Sequence, residues 1–177
     1  MNIDDKLIKA CENGDLSTVK ECLEQGANIH VWGDLALRWA ADKGYLKIVK
    51  HLVEQGANIH VWGDEALREA ARKGHLEVVK YLTEHGADVN ALNDYALCWA
   101  AYHGHLSIVE YLVEQGANIH VDKDYALRCA EEKGHLKVVE YLKNCEKIKE
   151  TAKSESIADI VDIKEFEIRE FKVRKIN

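Results

Sequence analysis

The sequence predicts an all-α solenoid of five helix-turn-helix repeats with a 30-residue period and short connectors. Three observations carry that prediction. Glycines recur in two ladders, Gly14, Gly44, Gly74, Gly104 and Gly134, and Gly26, Gly56, Gly86 and Gly116, each stepping by 30. Aspartates Asp4, Asp34, Asp64, Asp94 and Asp124 keep the same step. Two leucine sets do so as well: Leu7, Leu37, Leu67, Leu97 and Leu127, and Leu16, Leu46, Leu76, Leu106 and Leu136. The units are 4–33, 34–63, 64–93, 94–123 and 124–146, so the array occupies residues 1–146 and a tail occupies 147–177.

Within the second unit each element follows from residue type. Asp34 stands where a helix N-cap belongs, its carboxylate placed to accept from unpaired N–H groups at the positive end of the dipole. Leu37, Ala40 and Ala41 fall at i, i+3 and i+4 and make one apolar face. The two alanines keep that face flat, so first helices of adjacent units can approach closely. Gly44 ends the helix because it tolerates the left-handed conformation. Leu46, Ile48, Val49, Leu52 and Val53 give the second helix a broader apolar face, and Gly56 closes it. One such hairpin holds too little core to stand alone, and stacking completes the burial.

The run Gly74-His75-Leu76-Glu77-Val78-Val79-Lys80-Tyr81-Leu82, followed by Gly86-Ala87-Asp88-Val89-Asn90-Ala91, resembles the second helix and exit of an ankyrin repeat. Ala70-Ala71 before Gly74 resembles the end of that family's first helix. The likeness covers about four-fifths of the chain and recurs with its glycines. It implies a scaffold that binds a protein partner, with no catalytic residue and no cofactor. Two departures stand out. The period is 30 where ankyrin units have about 33, and only residues 57–63 separate Gly56 from Asp64. Shortened β-turn fingers with little β-structure are therefore expected. The family's threonine-proline-leucine-histidine stretch reads Leu35-Ala36-Leu37-Arg38, Glu65-Ala66-Leu67-Arg68 and Tyr95-Ala96-Leu97-Cys98, and the chain has no proline. The hydroxyl and imidazole bonds that tie neighbouring ankyrin repeats at that stretch are expected to be mostly missing. With its Leu-Val-Glu-Gln-Gly-Ala-Asn-Ile phrase, the chain resembles the ankyrin proteins that giant DNA viruses of amoebae encode in many copies. That resemblance implies a viral protein acting inside a host cell.

The ends of the array carry polar residues in slots that inner repeats fill with apolar ones. Lys6 takes the slot of Ala36, Glu131 that of Ala41, and Lys143 that of Val53. Solenoid ends need such caps. Beyond them, Lys147 to Ser156 reads as a polar hinge or an extension of the last helix. Ile157 to Ile176 suits either strand alternation, through Phe166/Ile168 and Phe171/Val173, or a helical face through Ile157, Ile160, Val161, Ile168 and Phe171. The tail either packs on the array or is a partner-binding peptide.

Charge and composition narrow the function classes. The net charge is −7, and residues 1–146 hold 16 basic against 24 acidic side chains. An acidic body disfavours a nucleic-acid backbone as partner. No apolar run reaches the roughly 18 residues of a membrane span, and the polar start Met1-Asn2-Ile3-Asp4-Asp5-Lys6 lacks the pattern of a secretory signal. A cytoplasmic or nuclear location is expected. The five cysteines, Cys11, Cys22, Cys98, Cys129 and Cys145, form no C-x-x-C pair and read as reduced packing residues within helices.

No Gly-rich phosphate loop, H-E-x-x-H, G-x-S-x-G or paired-cysteine metal pattern occurs, so no enzyme is expected. His103-Gly104-His105 is the best metal pattern, but His75, His105 and His135 share a repeat slot, so its second histidine is a repeat feature. Binding residues are better sought where the copies differ. Slots repeated faithfully serve the core; slots that vary are free of that demand. By analogy with the concave groove of ankyrin proteins, the partner-binding candidates are Trp32, Asp42, Lys43, Trp62, Arg72, Lys73, Trp99, Tyr102 and His103. Aromatics and arginine are the usual carriers of interface energy. Trp39 and Trp99 also suit packing between first helices, and Trp32 and Trp62 suit packing on one another along the loops. The expected protein is a monomer; the rival reading is a self-assembling structural component whose tail pairs with a second copy.

Overall fold

The computed structural model describes residues 2–154. Ten helices occur in order: α1 (Ile3–Asn13), α2 (Leu16–Glu24), α3 (Leu35–Asp42), α4 (Leu46–Glu54), α5 (Glu65–Lys73), α6 (Leu76–Glu84), α7 (Ala91–Tyr102), α8 (Leu106–Glu114), α9 (Tyr125–Lys133) and α10 (Leu136–Ser154). Among the described residues there is no strand. The described residues divide into two units, one ending at Val139 and the other beginning at Glu140. The first holds α1 to α9 and the start of α10; α10 runs beyond Glu146 as a continuous helix to Ser154. The apolar residues from Ile157 onward lie outside the described residues.

Stacking follows the two apolar faces read from the sequence. First helices α1, α3, α5, α7 and α9 pack on one another in series, more extensively than second helices α2, α4, α6 and α8 do. Alanine is the reason. Ala40, Ala41, Ala70, Ala71, Ala100 and Ala101 are fully buried, and their small side chains let neighbouring backbones come close. On the other side of each hairpin, Ile48, Val49 and Leu52, then Val78, Val79 and Leu82, then Ile108, Val109 and Leu112 are all at most 1% exposed. Each such leucine contributes roughly 1.5–3 kcal/mol by leaving water.

The periodic glycines do more than end helices. Gly44 has φ +75°, and a Cβ there would come within 2.5 Å of the His75 ring of the next repeat; Gly104 faces His135 in the same way. Those rings are tied down. His75 Nε2–H donates to the Asp42 carbonyl at 2.8 Å, His105 to that of Arg72 at 3.0 Å, and His135 to that of Tyr102 at 2.9 Å. Imidazole bonds between repeats therefore exist, but they come from the Gly-His-Leu slot and not from the Arg38/Arg68 slot.

The aspartate ladder also needs a correction. Asp34, Asp64 and Asp124 precede their helices in a left-handed conformation and make no capping hydrogen bond. The Asp34 carboxylate instead accepts from the Asn58 backbone N–H at 2.8 Å and from His30 Nδ1–H at 3.1 Å. Asp4 accepts from Asn28 N–H, Asp64 from Asp88 N–H and His60, and Asp94 from Asn118 N–H. Asn58 in turn bends its connector by accepting from His60 N–H at 2.9 Å. Asp34 and Asp64 thus join the connector before them to the one that closes their own repeat, whereas Asp94 holds only the closing connector and Asp124 only the preceding one. Buried as they are (Asp34 5%, Asp64 4%, Asp94 3% exposed), these carboxylates fasten the connectors that a longer β-finger would otherwise order. Asn2 caps α1 and Asp15 caps α2, whereas α3 to α9 have no side-chain cap.

Candidate functional site

The connectors place the first group of candidates. Three consecutive left-handed residues turn the chain into each first helix: Trp32-Gly33-Asp34, Trp62-Gly63-Asp64, Leu92-Asn93-Asp94 and Asp122-Lys123-Asp124. Positive φ is an outlier for a residue as bulky as tryptophan. The turn lifts the first residue of each triplet outward, leaving Trp32 74% and Trp62 70% exposed. The Trp62 ring nevertheless lies against the preceding turn, where a Cβ on Gly33 would meet it at 2.7 Å. Arg68 anchors that turn by donating to the carbonyls of Trp62 and Gly63.

A second group gathers at the C-terminal ends of α3 and α5. Asp42 is buried, and its carboxylate takes Arg72 at 3.0 Å, Lys43 at 3.3 Å and Lys73 at 3.8 Å; Arg72 also pairs with Glu69. The structure therefore gives Asp42 and Arg72 a structural duty, tying one repeat to the next, while Lys43 and Lys73 keep their ammonium groups at the surface. Trp39 is half-buried beside them, with Lys43 Nζ 5.4 Å and Arg38 Cζ 5.6 Å from its ring.

The third group is aromatic and sits on α7. Trp99 meets Tyr102 edge-on at 5.7 Å between centroids and stacks with His103 at 5.8 Å. Lys133 from the next repeat lies over Tyr102, its Nζ 4.6 Å from the ring centroid. Tyr102 and Glu132, as hydrogen-bond partners, hold that ammonium above the ordinary lysine range. Partial burial first, then the charges of His105, Arg72, Lys73 and His135, keep the His103 imidazole below the ordinary histidine value. The His103 and His105 rings lie parallel, 6.0 Å apart, and His105 Nε2–H is committed to the Arg72 carbonyl. That commitment turns one of the two rings away from a shared ligand.

Between α7 and α9 the aromatic group opens into a cleft of about 150 Å³, lined by Tyr95, Cys98, Trp99, Tyr102, Tyr125 and Cys129. Burial first, then Cys129, Asp94 and Asp122, push the Cys98 thiol up to about 12. At neutral pH it is an apolar floor and not a nucleophile. Sequence reasoning named Trp99 and Tyr102 but missed Tyr95 and Tyr125. The signal was available: the first position of each first helix reads Leu35, Glu65, Tyr95 and Tyr125, a varying slot with two aromatics one period apart.

Among the described residues no helix is long and apolar enough to cross a membrane. No curated protein matches the chain. The family model for ankyrin repeats, with three copies, matches residues 7–93 and 90–153. With hairpins, glycine ladders and inter-repeat histidines all accounted for, the chain belongs to the ankyrin-repeat family.

Proposed function

We propose that this protein is a non-enzymatic scaffold that holds a protein partner along the face carried by its first helices. Ankyrin repeats are protein-interaction modules, and one observation directs the reading to this face. Slots filled alike in the inner repeats, such as Leu37/Leu67/Leu97 and Ala40/Ala70/Ala100, are at most 2% exposed, whereas Lys43, Lys73 and His103, at slots that differ from the common core, are exposed at the ends of α3, α5 and α7. The more extensive packing of first helices on one another supports placing a concave groove on that side. The likeness to viral short-finger proteins makes a host-cell protein the partner to seek first.

The test compares two folded variants in one pull-down from cells, identified by mass spectrometry. A groove variant combines Trp62→Ala, Lys73→Ala and Tyr102→Ala; Arg72 is spared because Asp42 depends on it. A second-helix variant combines Lys50→Ala, Lys80→Ala and Glu110→Ala. The groove variant should lose the partner, since truncating an interface anchor costs about 2 kcal/mol or more. Retention by the groove variant and loss by the other would move the binding face to the second helices.

A further inference from the structure

Four aromatic rings converge on the cleft between α7 and α9, and Tyr95 and Tyr125 remain 43% and 40% exposed at its rim. Its floor is the two buried cysteines, Cys98 and Cys129, each 5% exposed. At about 150 Å³ the space suits one large side chain and no more. Ring-lined clefts take either an apolar anchor or a cation held over the ring faces. The charges around this cleft choose between them. Two of its rings already carry cations of this chain: Lys133 Nζ lies 4.6 Å from the Tyr102 centroid and Arg128 Cζ lies 5.6 Å from that of Tyr125. A further cation entering there would meet repulsion from both. A carboxylate beside an apolar anchor would meet attraction.

The same sign continues along the array. The slot before the first-helix glycine holds Lys43, Lys73 and Lys133, with Asn13 in the first repeat and, in the fourth, His103, which is held below the ordinary histidine value. Repeat spacing of about 10 Å puts Lys133 and Lys73 within reach of one extended peptide passing over the cleft. The carboxylates already near these cations offset them in part: Asp94 and Asp122 lie close enough to the cleft floor to push the Cys98 thiol up. Glu132, which pairs with Lys133 at 3.3 Å, is 70% exposed, and such surface pairs exchange partners at little cost. Asp42 is buried and shared among Lys43, Arg72 and Lys73, so it neutralises only part of that group.

Resting on the groove reading above, we propose that the Tyr95–Trp99–Tyr102–Tyr125 cleft receives one bulky apolar side chain from an acidic segment of the partner. The flanking carboxylates of that segment lie against Lys133 and Arg128 on one side and Lys73 on the other.

The chain's own tryptophans report on this directly. The probe is a blocked heptapeptide with one phenylalanine between pairs of glutamates, titrated into the full chain while the four indole N–H resonances are followed by NMR. The Trp99 indole should shift saturably, with Trp32 and Trp62 unmoved. Replacing the phenylalanine by alanine, or using a folded Trp99→Ala, Tyr125→Ala variant, should weaken binding about thirtyfold. Replacing the glutamates by lysines should weaken it at least about threefold. Three results would overturn the proposal: no movement of the Trp99 indole, equal or tighter binding of the lysine peptide, or tighter binding when a trimethyl-lysine replaces the phenylalanine. The groove reading is scored separately. A cellular partner lost by the groove variant but kept by Trp99→Ala, Tyr125→Ala would leave the groove standing and end the cleft's role as its anchor site.

Discussion

Replacing Asp34 by serine separates two explanations of the aspartate ladder. Serine is as good an N-cap as aspartate, so if capping were the role the change would cost only a few tenths of a kcal/mol. The structure gives the carboxylate a different task, accepting from Asn58 N–H at 2.8 Å and His30 Nδ1–H at 3.1 Å. A serine hydroxyl sits one bond closer to the backbone and reaches neither. Hydrogen bonds to a charged group contribute about 1.5–3 kcal/mol. Because His30 and Asn58 both lie partly in water, the lower part of that range applies, and the bond to His30 adds little. Serine is also less suited than aspartate or asparagine to the left-handed backbone at this position, φ 54°. The expected loss is about 2 kcal/mol, or roughly 4–8 °C in melting temperature for a chain of this length. Asp34→Asn keeps an acceptor for the Asn58 amide and the left-handed preference, so it should lose about half as much. The measurement is urea denaturation followed by circular dichroism, with a thermal scan beside it. A serine variant within about 0.5 kcal/mol of the parent would show that the connectors hold without this carboxylate.

Gly104→Ala should destabilise by more than the ~1 kcal/mol of a left-handed alanine, because its Cβ would lie 2.5 Å from His135, whose ring is fixed to the Tyr102 carbonyl. Gly26→Ala, with φ +85° and open space around it, should show the backbone cost alone; equal losses in urea midpoints would rule out the packing role of the glycine. His103 should titrate by NMR below the ordinary histidine value of 6.5. The unfolded chain then binds the proton more readily than the folded one, so stability falls as pH drops through 6.5 toward the folded value. His103→Asn should flatten part of that loss, and a steeper loss in the variant would reverse the sign of the argument. Cys98 and Cys11, both pushed up to about 12 chiefly by burial, should resist a thiol reagent at pH near 8 until the array opens. Labelling faster than unfolding would contradict their placement.

Much of the fold was legible because one period governs it. Leu37, Leu52, Leu67 and Leu82 mark the core whichever repeat is read first, and the glycines mark helix ends. Function in the connectors was harder to read, since a residue type fits several bonds. An aspartate before a helix is most often a cap, and only the fold back of residues 57–60 onto Asp34 shows that its partner lies 24 residues downstream. The histidines were assigned their slot but not their bond, because the accepting carbonyls of Asp42, Arg72 and Tyr102 belong to the preceding repeat. At the candidate site, comparing copies found Trp99, Tyr102, Lys43 and Lys73 as varying positions. The same comparison could not separate Asp42 and Arg72, which also vary yet pair with each other across two repeats. Variation between copies marks freedom from the common core, and a pair of positions can use that freedom for a private structural bond.

The missing threonine-proline-leucine-histidine stretch connects the fold to the cleft. In this chain the ties between repeats are made elsewhere, by the His30–Asp34, His60–Asp64 and His120–Asp124 pairs of the connectors and by His75, His105 and His135. The first and last positions of that stretch are therefore free of the bonds that threonine and histidine make there in the family. In the fourth and fifth repeats the released first positions are Tyr95 and Tyr125, which become two walls of the cleft. The released last positions are Cys98 and Arg128: the first forms the floor, and the second supplies the cation over Tyr125. In the second and third repeats the same slots hold Leu35, Arg38, Glu65 and Arg68; Arg38 pairs with Glu65 at 3.4 Å and Arg68 anchors the Trp62 turn. Moving the inter-repeat bonds onto the connectors thus has a local consequence for the candidate site. Of the four positions concerned in the last two repeats, Tyr95, Cys98 and Tyr125 line the aromatic cleft and Arg128 lies over one of its rings.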